Sequence, residues 1–499
     1  MNENIVHQVS ILEKLVVCGE HDKCRTLLDL NIFKNLTRDL TVKVADLAIR
    51  VNLPIYALKK LHPYVYPENS LLRSTTEQEK IVYASALYNL GAIKESLELL
   101  IGIKSEEHPE VLFHRASAHF FNWNYARGIP ELKKFVVSNK ISKYRKSVGE
   151  VNLAAAYISI SNWAAADSLL NKIQLECEMH NYQLLLGNCF ELKAQIHIYN
   201  SEFELALEDL KKAQAFLKNQ NGIYTLFVEK WQAICYYFKE PSPENERRLE
   251  AFRTKALGMR QWATVRECDL FASIIKKDVA LFEKVIMGTE SEFYLQRARK
   301  LFGVHSFVRG HYRLLLGQPS EKLFEFDPYS KGALPEALYE KPLLFKLFSA
   351  LTRDFYQPSN IGLLFQKVYP DEKFNPFNSP QRVLQLLRRL NSWFKKSNVT
   401  LRVKFQKSEF SIIAQQPTSL LLKRGEDDSI SKLKLVDLRK MTDDRALTIL
   451  KIAELLDISK SSARRLVQQA LAERKMVKHG IGRSSLYQFA SSKRKRQAA

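Results

Sequence analysis

Six cysteines in 499 residues, none of them in a C-x-x-C pair, leave little basis for a disulfide framework or a thiolate zinc site. Cys18, Cys24, Cys177, Cys189, Cys235 and Cys268 are scattered. They are expected as small core side chains in a reducing compartment. No apolar run approaches the roughly 18–20 residues of a membrane span. The start, MNENIVHQVSILEKLVVCGEHDK, lacks the cationic head, long apolar centre and small-residue cleavage site of a secretory leader. A cytoplasmic protein without membrane contact is expected. Catalytic signatures are missing too: there is no G-x-x-x-x-G-K-[ST], no G-x-G-x-x-G after a strand, no H-E-x-x-H and no G-x-S-x-G. The 11 histidines are dispersed, so neither an enzyme nor a cofactor is expected.

Acidic residues are scarce in two places near the C-terminus. Between Pro376 and Ser408 there are 8 lysines and arginines and no acid. From Arg445 to Ala499 there are 13 against 3. These two segments carry most of the net +22 charge. Such unevenness suits a surface facing a polyanion. Composition elsewhere, 46% hydrophobic and 26% charged, is that of a folded globular chain. The length implies about three or four domains.

The first two hundred residues repeat. NLGAIKESLELL (89–100), FNWNYARGIPEL (121–132), SISNWAAADSLL (159–170) and YNSEFELALEDL (199–210) each place a large residue three positions before a small one. The large set is Ile93, Tyr125, Trp163 and Phe203; the small set is Ser96, Gly128, Ala166 and Ala206. Two helices approach closely where one presents a small side chain and a large one fills the adjacent gap. A single pair cannot bury its own apolar face, so pairs must stack. This resembles the tetratricopeptide-repeat (TPR) superfamily over roughly residues 10–215, with longer and less regular spacing. Helix is expected to continue to about Leu316.

The pattern changes near Gly317. KLFEFDPYSKGALP (322–335) reads as short strands and a turn, followed by helices at 341–354, 360–370 and 379–396 and a hairpin at 400–413. On the third helix Val383, Leu386, Leu387, Leu390 and Phe394 form one buried stripe. Arg382, Gln385, Arg388, Arg389, Ser392 and Lys396 fall on its flanks and outer face. This order resembles the OmpR/PhoB-type winged helix, although Asn391 and Trp393 stand where that family usually carries Arg and Lys.

After a polar stretch, residues 447–489 resemble the general bacterial winged helix-turn-helix. Thr448 caps one helix, DIS (457–459) makes the turn with Ile458 as its plug, and Ser459 caps the second. Ala463, Leu466, Val467, Ala470 and Leu471 face inward. Lys460, Ser461, Ser462, Arg464, Arg465, Gln468 and Gln469 are left outward, residue types that bond phosphates and base edges. KHGIGRSSLYQF gives two wing strands, with Arg483 placed to reach a neighbouring phosphate or the minor groove. SSKRKRQAA (491–499) is a basic tail.

The expected fold is mainly α: a TPR-like solenoid (1–317), an OmpR-like winged helix (318–415), a linker (416–432), a second winged helix (433–490) and the tail. The function these resemblances imply is a transcriptional regulator that binds double-stranded DNA. Its repeats would receive a protein or peptide partner, or mediate homo-oligomerisation. The same order also fits a PCI-type scaffold subunit, whose winged helix packs on protein, and the basic modules also suit RNA.

Overall fold

Each of the four large residues singled out above begins a helix, and each small one lies a turn further on against its neighbour. The computed structural model describes residues 2–490 except most of 30–35, residues 68–73, 219–221, 290, 305–310, 318–322, 331–335 and 407, most of 424–444, and 457–459, 473–474 and 481–484. The chain opens with α1 (Asn2–Val17), α2 (His21–Asp29), α3 (Arg38–Arg50), α4 (Pro54–Val65), α5 (Glu77–Asn89) and α6 (Ile93–Ile101). Next come α7 (Glu110–Phe121), α8 (Tyr125–Val137), α9 (Lys143–Ser159), α10 (Trp163–Met179), α11 (Gln183–Tyr199) and α12 (Phe203–Leu217). The series ends with α13 (Gly222–Lys239), α14 (Pro243–Gly258), α15 (Trp262–Lys276), α16 (Val279–Met287) and α17 (Glu292–Phe302). Among the described residues, no helix is long and apolar enough to cross a membrane.

Consecutive helices pack as hairpins, and α3, α5 and α7, then α9, α11, α13 and α15, also pack on one another in sequence. The result is a TPR-like stack whose odd-numbered helices form two layered runs, α3–α7 and α9–α15. Ser96, Ala166 and Ala206 are fully enclosed. A Cβ on Gly128 would stand 2.9 Å from Phe120 Cδ1, so only hydrogen fits there.

Among the described residues, eight hairpins use one three-residue turn whose middle residue is left-handed: Gly19, Asn52, Gly91, Trp123, Ser161, Asn181, Ser201 and Arg260. In each, the next residue's N–H returns to the carbonyl five positions earlier, as in Ala92 to Leu87, Asn162 to Tyr157 and Gln261 to Ala256. This is the Schellman closure, which satisfies carbonyls the helix end would otherwise leave open. It extends the repeat well past the stretch where the large–small motif is visible.

Two compact units emerge: Met1–Phe307 with Arg313–Leu422, and Val308–Tyr312 with Lys423–Ala499. In the first, the stack is followed by β1 (His311–Leu316), β2 (Phe324–Phe326), α18 (Pro342–Leu351), β3 (Ser359–Asn360), α19 (Ile361–Val368) and α20 (Ser379–Lys396). β4 (Leu401–Gln406), β5 (Glu409–Ala414) and β6 (Thr418–Lys423) complete it. One sheet has the order β3-β5-β4 and a second the order β1-β6-β2. The second unit holds α21 (Ile449–Leu455), α22 (Lys460–Ala472) and the antiparallel pair β7 (Met476–His479) and β8 (Leu486–Phe489).

The structure revises three boundaries. Helix stops at Phe302 rather than near Leu316, because Gly303 turns left-handed (φ 81°) and HYRLLL then runs as strand. The linker expected from residue 416 begins instead as β6, which pairs parallel with β2 and buries Leu420 and Leu422. Finally, residues 318–415 do not form a body apart from the repeats; they share a core-packed unit with them.

Candidate nucleic-acid interface

α20 owes its orientation to its apolar stripe. Val383, Leu386, Leu387, Leu390 and Phe394 are buried against α18, α19 and β4. Trp393 joins them, edge-on to Phe394 and close to Phe326. Trp393, where the sequence departs from the pattern it resembles, is therefore a core residue. The other departure, Asn391, accepts from Val403 N–H at 2.8 Å and donates to Val403 C=O at 3.3 Å, fastening β4 to the helix.

With that face fixed, Gln385, Arg388, Arg389, Ser392, Lys395 and Lys396 point into solvent. β4 alternates Leu401 and Val403 inward with Arg402 and Lys404 outward, so the strand extends the basic face. None of Arg388, Arg389, Lys395, Lys396, Arg402 or Lys404 makes an ion pair with another described residue. Phe405, 61% exposed, stacks on Phe410 beside them. The sequence reading missed Lys395, Arg402, Lys404 and Phe405. Their signal was present in the two-residue alternation of LRVKFQ.

Arg382 is held differently from the rest of α20's basic residues. Its guanidinium forms a bidentate pair with Glu372 and lies 4.0 Å from the centre of the Tyr369 ring. The hydrogen bonds from Arg382 raise its own pKa and lower that of Glu372. Its guanidinium is thus engaged within the module, unlike those of Arg388 and Arg389.

The same module is fastened to the repeats on other sides. Phe374 N–H donates to Glu95 Oε2 on α6 at 2.8 Å, and Lys94 Nζ donates to Pro370 C=O at 3.1 Å. Burial lifts the Glu95 carboxyl to a pKa of about 7. Asp354 pairs with Arg266 of α15, which is 0% exposed and has Trp123, Tyr294 and Tyr356 around its guanidinium. Burial opposes the Arg266 charge, but Asp354 and the ring hydroxyls outweigh it and hold its pKa above the ordinary value. Arg260 pairs with Glu409 and donates to Gln406 C=O, at the ends of the β4–β5 hairpin, and Trp262 Nε1 donates to Glu409 at 3.3 Å. Contact is close elsewhere too: a Cβ on Gly362 would meet Leu90 Cγ at 2.8 Å and the Leu90 carbonyl oxygen at shorter range still.

In the second unit, Thr448 caps α21 by accepting from Lys451 N–H. Leu438, Ile452, Ala463, Leu466, Val467, Ala470, Met476 and Phe489 form its core. Lys460, Arg464 and Gln468, spaced four apart on one face of α22, are exposed. Ser461, Ser462, Arg465 and Gln469 lie within α22, but their side chains fall outside the described residues, as do Ile458, Ser459 and Arg483 altogether.

No family model matches this chain. No curated protein matches it either. Among solved structures it is similar to a Rap protein complexed with competence and sporulation factor, with a TM-score of 0.42 and 13% identity, over 60% of this chain and 90% of that one.

Proposed function

We propose that the protein is a DNA-binding transcriptional regulator, not an enzyme, that reads duplex through winged helices and receives a protein or peptide partner on its repeats. The observation that carries this is the basic face of α20 and β4: exposed cations that form no ion pair with another described residue, on a helix whose opposite side is locked in a core. The order helix, strand, helix, helix, hairpin, with sheet order β3-β5-β4, supports reading residues 342–415 as a winged helix of the OmpR/PhoB type. Helix, helix and a strand pair in the second unit support reading residues 447–489 as another. Phosphate contacts would supply the affinity, and the polar residues of α20 and α22 the sequence preference.

The scaffold reading has its own support, since the first module is already fastened to protein through Glu95, Arg266 and Arg260. One titration separates the two. Full-length chain is added to fluorescent random-sequence duplex across a salt series from about 50 to about 200 mM. Tight binding with a steep negative salt slope is expected. The triple variant Arg388→Ala, Arg389→Ala, Lys396→Ala should bind more weakly and flatten the slope by about 2–3, roughly one per lost phosphate contact. No duplex binding at low salt would leave the scaffold reading in place. Stronger binding to single-stranded or duplex RNA of equal length would favour the RNA reading.

A further inference from the structure

In a stack of helical hairpins each helix meets its neighbours and little else. α17 departs from this. It packs on α15 and α16, as its place in the chain requires. Yet Arg297 Nη2 donates to Tyr199 Oη at 3.2 Å, at the end of α11 and 98 residues earlier. Tyr294 lies edge-on to Trp123, in the turn between α7 and α8, with 5.2 Å between ring centres. α17 therefore crosses the odd-numbered helices instead of continuing their series. It is amphipathic: Tyr294, Leu295 and Ala298 are buried, whereas Gln296 and Lys300 face solvent.

The seam beneath it is polar. Arg297 Nη1 donates to Glu267 Oε1 of α15 at 3.1 Å, and Lys230 Nζ of α13 donates to Glu267 Oε2 at 2.5 Å. All three side chains are largely enclosed. Burial opposes the Glu267 charge, but Lys230 and Arg297 outweigh it and bring its pKa down to about 2. Glu191 of α11 stands close enough to Lys230 and Glu267 to feel both charges. Without α17 the patch holds two carboxylates and one lysine, and Arg297 balances it. When a seam of this kind parts, water rehydrates both partners of each pair, so it costs less to open than an apolar seam of equal area.

We propose that the face of α11, α13 and α15 under α17 is a docking surface for a basic amphipathic helix of a partner protein, and that α17 is its resident occupant. The arriving helix carries an aromatic residue three positions before an arginine, as Tyr294 and Arg297 stand on one side of α17. Its ring takes the place against Trp123 and its guanidinium the place against Glu267 and Tyr199, and α17 is displaced. This rests on the reading that the repeats receive a protein or peptide partner, and it names the surface and the chemistry.

A fluorescein-labelled peptide of residues 291–303, SEFYLQRARKLFG, is titrated into full-length protein and followed by polarisation. The tethered α17 competes at an effective concentration on the order of millimolar, so the unmodified chain should bind the peptide weakly. Arg297→Glu in the chain sets two carboxylates against each other and should tighten peptide binding at least tenfold. The same substitution in the peptide should abolish that gain. A second peptide, with p-benzoylphenylalanine in place of Tyr294, should crosslink to the turn that holds Trp123. Crosslinks confined to other repeats would overturn this inference while leaving the repeats as a partner surface, and absence of peptide binding to the loosened chain would overturn it outright. Hydrogen exchange on the unmodified protein gives a test that does not depend on a variant folding: α17 amides should exchange at least tenfold faster than those of α13 and α15, through local opening. Equal protection would make α17 part of the core and sink the proposal.

Discussion

Removing the charge of Asp354 should destabilise the protein more than removing Arg266 itself. The reason lies in how the two partners are housed. Arg266 is 0% exposed, and its Nε and Nη1 have no hydrogen-bond partner among the described residues. Asp354 is 22% exposed and also accepts from the backbone N–H groups of Tyr356 and Gln357, each at 2.9 Å. Asp354→Asn keeps that acceptor and the side-chain shape but strands a buried cation, a change that costs roughly 3–5 kcal/mol. The three surrounding rings already stabilise the cation by roughly 0.5–2 kcal/mol each, which places the expectation at the low end, about 3 kcal/mol. Arg266→Met leaves a carboxylate that water and two N–H groups still reach, so about 1–2 kcal/mol is expected. The double variant should resemble Arg266→Met alone, giving a coupling of about 3 kcal/mol, at the top of the range for residues in contact. Urea unfolding followed by tryptophan fluorescence measures all four proteins, with Trp123 as a probe against the guanidinium. A loss below about 1 kcal/mol for Asp354→Asn, or a larger loss for Arg266→Met, would refute the asymmetry argument.

Two further outcomes follow from single residues. Burial raises the Glu95 carboxyl from 4.5 to about 7, so the folded state holds that proton more tightly than the unfolded chain. Its contribution is therefore full below about pH 4.5 and lost as pH rises through about 7. Glu95→Gln, which mimics the protonated form, should flatten the pH dependence across that window and be more stable at pH 8 by up to about 3 kcal/mol. Identical pH profiles for the two proteins in urea unfolding would disprove this. Separately, Ser201 sits at φ 63° on the surface; Ser201→Gly should raise stability by about 0.5–1 kcal/mol and Ser201→Ala should not, as thermal melts would show.

The repeats were legible where packing left a pattern in neighbouring letters. Ile93, Tyr125, Trp163 and Phe203 mark helix starts because each must fill the gap beside a small residue three positions on. Beyond α12 the pattern fades, although the hairpin turn persists. A helix stop is normally read from glycine in the left-handed position, yet of the eight turns two, at Gly19 and Gly91, have it; the others place Asn, Ser, Arg or Trp there. The stripe of α20 was equally readable, since Val383 through Phe394 recur at helical spacing.

The junction was not legible, because nothing local announces it. Arg266 and Asp269 fall among the buried positions of α15, and charges on an apolar stripe imply enclosed partners without naming them. Those partners, Asp354 and Tyr356, lie 88 and 87 residues further along. The pairing of Arg382 was hidden for a related reason. Helical spacing placed it on the flank of α20, but the neighbouring Glu372 and Tyr369 lie in the preceding loop, outside the helix on which the spacing argument was made.

The fastening of residues 342–415 at Glu95, Arg266 and Arg260 has a mechanical consequence. A head on a loose tether can swivel to meet a target wherever it lies. A head anchored at three points has a fixed aim, and it can be re-aimed only by deforming its mount. Anything that bends the helical stack then turns the basic face of α20 with it, as a lever turns a pointer. Sensitivity to a distant event would be set by the stiffness of those three anchors rather than by the length of any linker.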